Sequence, residues 1–119
     1  MPCDLIVDAQ LRVVHSRYFG DVTLDDVLGQ REQMMQHPDF EPGFSLIIDL
    51  SEAGHISLSA ADVRRIAKSP TPPGVSSRHI FVAPRADMYG IARMYQAYGE
   101  AVQRDVVVVR SMEEAKRLL

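Results

Sequence analysis

A single cysteine, Cys3, is all the thiol chemistry that this chain of 119 residues carries. An intramolecular disulfide is therefore excluded, and with no activating group beside it the thiol reads as a small residue opening the first strand. Long apolar runs are missing as well. The two longest, 44–48 and 106–109, fall far short of the roughly 20 residues that a membrane helix needs. The first residues include Asp4, Asp8 and Arg12 and lack a basic start followed by an apolar block, so no signal peptide is expected and the chain reads as cytoplasmic. Positive charge is also in short supply. At a formal net charge of -3, the clustered basic surface that a phosphate backbone demands is not expected, and nucleic acid is not an expected partner. Arg64, Arg65 and Lys68 do fall together on a short helix without interleaved aromatic residues; they read as a solvated face or as an anion site.

Recognisable chemistry is equally sparse. His15, His37, His55 and His79 are scattered singly, and none has the spacing of a metal site, so neither a metal nor a cofactor is expected. No phosphate-binding loop is present. Asp49, Ser51 and His55 supply an acid, a hydroxyl and a base, but they lie within seven residues of one segment. A working triad gathers its members from separate elements around an oxyanion hole, so the chain is not expected to be an enzyme.

What the chain does have is the composition of an ordinary globular domain, 46% hydrophobic and 24% charged, at a length that fits one domain over residues 1–119. Its most informative stretch is the apolar run Phe44-Ser45-Leu46-Ile47-Ile48, ending in Asp49-Leu50-Ser51. It reads as a buried central strand that delivers an acid and hydroxyls to the carboxyl edge of a sheet. Upstream, residues 5–7 and 11–19 form a hairpin joined at Asp8-Ala9-Gln10 and broken by Gly20-Asp21. Thr23 with Asp26, Ser59 with Asp62 and Ser111 with Glu114 are three capping pairs, each opening a helix. In the first helix Leu24, Val27, Leu28, Met34 and Met35 make the buried stripe, with Gln30, Glu32, Gln33 and Gln36 toward water, and His37-Pro38 ends it. Val63, Ile66 and Ala67 give the second helix a narrow core face, and Pro70-Thr71-Pro72-Pro73-Gly74 is a stiff connector. A strand at 79–83 follows, then a third helix opened by Asp87 with Met88, Ile91, Ala92, Tyr95, Gly99 and Val102 at helical spacing. A buried strand at 106–109 and a terminal helix complete the order ββαβαβαβα. The expected fold is an α/β mixed five-stranded sheet with four helices, parallel except for the first hairpin strand.

The order of elements, together with Phe19-Gly20 and Val22-Thr23 before the first helix, Asp49-Leu50-Ser51, Tyr89-Gly90-Ile91-Ala92-Arg93 and Glu113-Glu114-Ala115, resembles the small STAS-like or SpoIIAA-like proteins related to bacterial anti-sigma-factor antagonists. The resemblance implies a noncatalytic regulatory or protein-interaction module with a regulatory protein partner. It also implies a serine at the start of the second helix that a partner kinase phosphorylates. The matching stretch is Ser57-Leu58-Ser59, which makes Ser59 the counterpart, with Asp49, Ser51 and Ser57 beside it as switch candidates. Ser59 also has a sufficient role as a helix cap.

An alternative function is the binding of a small apolar or anionic ligand between the third helix and the sheet. Tyr89 and Arg93, four apart on that helix, would form the rim. Met94 and Tyr98 exceed what one stripe buries, which favours either a ligand site or a twofold homodimer paired through this helix.

Overall fold

The computed structural model describes residues 3–68, 78–102 and 104–119; the connector expected at residues 70–74 lies outside them. The elements are β1 (Cys3–Asp8), β2 (Val13–Thr23), α1 (Leu24–Gln36), β3 (Ser45–Ser57), α2 (Ala60–Lys68), β4 (His79–Val82), α3 (Ala86–Glu100), β5 (Val106–Val109) and α4 (Met112–Lys116). The strands lie side by side in chain order, β1-β2-β3-β4-β5, with β1 antiparallel to β2 and the other pairs parallel. The mixed five-stranded sheet with four helices is thus the observed fold.

Strand order decides where the helices go. Each crossover from β2 to β5 moves one place in the same direction, and right-handed connections then put α1, α2 and α3 on one face. The other face receives only α4, whose Ala115 packs with Ile47, Ile80, Val82 and Val109. Over β1 and β2 that second face carries polar groups instead. Arg17 donates to both carboxylate oxygens of Asp4 across the hairpin, at 3.1 and 2.7 Å, and its guanidinium lies 5.3 Å from the Phe19 ring. Such a face can meet water without a covering helix.

Local sequence explains the boundaries. Asp8 accepts from Leu11 N in the hairpin turn at 2.9 Å, and Arg12 there has φ +57°. Thr23 and Asp26 form a reciprocal capping box on α1, and His37 leaves the helix in extended geometry, as the following proline requires. Ser111 caps α4 through Glu114 N at 3.2 Å.

Two boundaries differ from expectation. Gly20-Asp21 does not end β2, and β3 does not stop near Ile48. Both strands run on as a two-stranded ribbon in which Gly20 pairs with Ala53 and Thr23 with Ser57. The register shifts between Arg17 and Phe19 and again between Gly20 and Val22, each time with one extra residue on β3, so β3 bulges here while β2 runs on through Gly20 at φ +57°. A Cβ on Gly54 would stand 3.3 Å from the Gly20 carbonyl carbon, so glycine permits the close approach of the two strands. Beyond Val82 the far edge of β3 has no strand partner among the described residues, and Arg85 occupies it. Its Nη1 donates to Ala53 O at 2.8 Å and its Nη2 to Gly54 O, while Asp87 holds the guanidinium from α3.

The start of α2 tests the capping assignment. Ser59 Oγ accepts from Asp62 N at 3.1 Å and Asp62 Oδ2 accepts from Ser59 N at 3.0 Å. Ser59→Ala is expected to cost about 1 kcal/mol, and Ser59→Asp much less because aspartate also caps. Urea melts of the three proteins check this, and an unchanged Ser59→Ala midpoint would refute the cap.

Candidate functional site

The candidates read from the sequence fall in separate places. Asp49 lies inside β3, level with Arg17 and with Val82 at the end of β4. Two residues on from Ile47, it shares the sheet face that α4 partly covers. Ser51 follows within the same strand, and both its Oγ and its N donate to Asp49 Oδ1, at 2.5 and 2.9 Å. His55 is four residues further along the extended strand, about 13 Å away at strand rise, with its N donating to Asp21 Oδ1 at 3.3 Å. The serine hydroxyl is therefore committed to Asp49 and out of reach of that imidazole. Ser57 pairs with Thr23 at the tip of the ribbon, and Ser59 is occupied as a cap.

On α3, across the sheet, Tyr89 lies under the Arg110 guanidinium, 4.8 Å from its ring centre, and Arg93 is exposed. Met94 and Tyr98 are half-buried and pack with Val63, Ile66, Ala67, Tyr95 and Val106. The α2 face of the same chain therefore covers part of each side chain expected to be surplus. Val102, placed in the core stripe by its spacing, is exposed because the helix ends at Glu100.

The structure instead opens a cleft on the helix-covered face. Helix α1 packs over β1 and β2, whereas α2 packs chiefly on α3. Between them is a cavity of about 130 Å³ floored by Leu46, Ile48 and Leu50 of β3 and by His79 and Phe81 of β4. Val27, Gln30, Arg31 and Met34 of α1 form one wall, and Val63, Ile66, Ile91 and Tyr95 the other. Leu46 and Ile48 are only half-buried although they sit on the central strand, because the helices do not close over them. Met35 also lines the cleft and is 47% exposed, which marks the mouth at the carboxyl end of α1.

The lining is apolar apart from a small set of buried polar groups. Gln30, expected at the solvent, is 3% exposed. Its Nε2 donates to Asp4 O at 2.6 Å and to Ser16 Oγ at 3.0 Å, tying α1 to the hairpin. Arg31 spans the cleft and donates from Nη2 to Ile66 O on α2 at 3.2 Å. Burial holds its pKa below the ordinary guanidinium range; Tyr95 opposes that shift and Arg104 adds to it. Tyr18 is pushed up to about 12, chiefly by burial and against a hydrogen bond with Ser16. Tyr95 Oη accepts from Arg104 Nη1 at 2.9 Å and stands 3.2 Å from His79 Nδ1. With its lone pair engaged by arginine, the phenol has its own hydrogen to give to a neutral imidazole. The sequence held one signal for this wall. Gln30 and Arg31 stand at the i+3 and i+4 positions after Val27 and before Met34, where polar residues interrupt an apolar stripe.

No protein-family model and no curated protein matches this chain. Among solved structures it is similar to an uncharacterised protein of the DUF3478 family with a SpoIIAA-like fold, from Shewanella loihica PV-4. The superposition has a TM-score of 0.63 at 12% identity and covers 98% of this chain and 91% of the other. The fold is SpoIIAA-like. Among the described residues, no helix is long and apolar enough to cross a membrane, and no group of three or more His, Cys, Asp or Glu side chains is placed to hold a metal.

His79 makes the cleft sensitive to acid. Burial, and after it the Arg104 and Arg31 charges, lower its pKa from 6.5 to about 4. The unfolded chain then binds the proton more readily than the folded one, so the stability is fully present above pH 6.5 and is lost as pH falls toward 4. Between pH 7.5 and 4.5 the loss from this group is about 2.5 kcal/mol. Urea melts at the two pH values are expected to differ by that amount more in the parent than in His79→Gln. Equal pH dependence in both would show that His79 is not the titrating group.

Proposed function

We propose that this chain is a noncatalytic module that binds a small, mostly apolar molecule in the cleft between α1, the α2–α3 pair and the sheet. The observation that supports this reading is the unfilled volume over the central strand. Protein interiors pack to the density of organic crystals, whereas this cleft leaves about 130 Å³ beside mostly apolar side chains unfilled by the protein. An apolar occupant removes that lining from water. The volume is close to that of an engineered apolar cavity of about 150 Å³ that takes up benzene, which sets the scale at one ring or a short branched chain rather than a long acyl tail. A few polar groups on an otherwise apolar lining is the usual form of a small-molecule site.

The committed Ser51 hydroxyl and the distant His55 favour binding over turnover. The regulatory sense of the module follows from α1. Gln30 anchors it to the hairpin and Arg31 reaches across to α2, so an occupant that separates or draws together these walls changes the surface that a regulatory protein partner would meet.

Toluene titrated into isotopically labelled protein tests the site directly. Saturable methyl shifts are expected at Leu46, Ile48 and Ile91. Ile48→Phe fills space instead of overpacking it, so its stability should match or exceed the parent's, where a close-packed core would lose about 1–3 kcal/mol, and toluene binding should fall sharply. Absent shifts, or an Ile48→Phe variant destabilised like an ordinary overpacked core, would mean that the cleft is closed in solution.

A further inference from the structure

The polar wall of the cleft says what kind of molecule fits it. Arg12, Arg17, Arg78, Arg85 and Arg117 each lie within 4 Å of a carboxylate, Glu41, Asp4, Asp105, Asp87 and Glu113 in turn. All of these pairs are well exposed. Arg31 sits deeper, and the groups that act on it are Tyr95, Arg104 and Tyr18, two phenols and a second cation. Its Nη2 is satisfied by a backbone carbonyl, but its Nη1 is buried and has no hydrogen-bond partner among the described residues. Tyr95 also acts on the guanidinium as a hydrogen-bond partner, yet among the described residues Nη1 has no acceptor, an unfavourable arrangement for a half-buried side chain that does not deprotonate.

The next residue along α1 carries the complementary defect. Gln30 Nε2 donates to a carbonyl oxygen, which only accepts. The amide orientation is thereby fixed, and Oε1 must be the group left over. Oε1 is buried without a donor, on a side chain that is 3% exposed and lines the same cavity. Thus one short stretch of α1 presents an unpaired N–H of a cation and an unpaired carbonyl to a small apolar space. Water alone answers the second need but supplies no charge for the first.

We infer that the ligand is a small monocarboxylate of about benzoate size, its carboxylate on Arg31 Nη1 and its apolar body against Leu46, Ile48, Phe81 and Ile91. The inference rests on the cleft being a binding site and names the class of molecule that enters it. A hydroxyl too far from the carboxyl to bond it internally adds the donor that Gln30 Oε1 lacks, so such hydroxy acids are preferred to the parent acids. Dicarboxylates and phosphate esters are excluded by the apolar floor, which offers nothing to a second charge.

Four probes of similar shape separate the possibilities: benzoate, 3-hydroxybenzoate, benzyl alcohol and toluene, each titrated by calorimetry into the full chain at pH 7.5. Both carboxylates are expected to bind more tightly than benzyl alcohol, with 3-hydroxybenzoate ahead of benzoate. Arg31→Met is expected to weaken benzoate by about tenfold or more, the effect of losing a charge-assisted contact. Should that variant fold poorly, guanidinium resonances of Arg31 in the labelled parent chain supply the readout, and they should shift on addition of benzoate. Toluene binding without carboxylate binding would overturn the carboxylate assignment and leave the cleft as an apolar site. Binding of none of the four would overturn both. Benzoate binding that leaves the Arg31 signals unmoved would place the acid elsewhere on the protein and also refute the assignment.

Discussion

The whole arrangement depends on one constraint, the right-handedness of three successive crossovers across strands laid down in chain order. Because the chain never reverses direction across the sheet, α1, α2 and α3 must share a face, and the central strand β3 lies under the middle of that layer. How well β3 is covered is then decided by which neighbours the helices choose. Gln30 ties α1 to the hairpin through Asp4 and Ser16. The three core residues of α2, Val63, Ile66 and Ala67, pack with Tyr95 and Val106. Each helix satisfies its own apolar face to one side, and the space over Leu46 and Ile48 is what remains.

The same constraint leaves the opposite face short of helices, and polar chemistry fills the deficit. Ala115 of α4 completes the apolar cluster over β4 and β5. Across β1 and β2 the Asp4–Arg17 fork, backed by Phe19, makes a surface that tolerates water. Asp49 and Ser51 belong to this side, separated from the cleft by the thickness of the sheet. Asp49 and Ser51 therefore lie apart from α3, and the bond between them steadies an extended strand.

The fold was legible in the sequence because its signals are local. Three capping pairs, the His37-Pro38 boundary and alternating periodicities fix the element order without reference to the rest of the chain. The misread parts are those where distant residues decide. Gly20-Asp21 looks like a break in isolation, yet β2 continues through it because Gly54 on β3 leaves room for the Gly20 backbone, and Arg85 satisfies β3 carbonyls from 31 and 32 residues away. Gln30 was assigned to solvent because its side chain is polar, although its position belongs to the buried stripe. His79 looked like one of four unrelated histidines, since its partner Tyr95 comes from the next helix. The cleft itself left no pattern, because a cavity is a property of the gap between elements and not of any one of them.

A cavity also changes how polar burial should be judged. In a close-packed core the unpaired Gln30 Oε1 and Arg31 Nη1 would both be removed by selection for stability, since apolar replacements of similar shape cost nothing there and relieve two desolvated groups. Here the two groups sit side by side on one helix, face one space, and are complementary in kind, a donor with charge and an acceptor without. The Gln30 amide is pinned by Asp4 O, so it cannot turn to satisfy itself, and Arg31 is held in place by Ile66 O. Both are therefore preorganised toward the cleft and not toward each other. Preorganised unmet groups weaken the empty fold, and they become favourable only when a third party supplies what each lacks. Under the proposed function, the stability surrendered in the empty state is what binding would return, and it would let a domain of this size respond to a molecule no larger than a single ring.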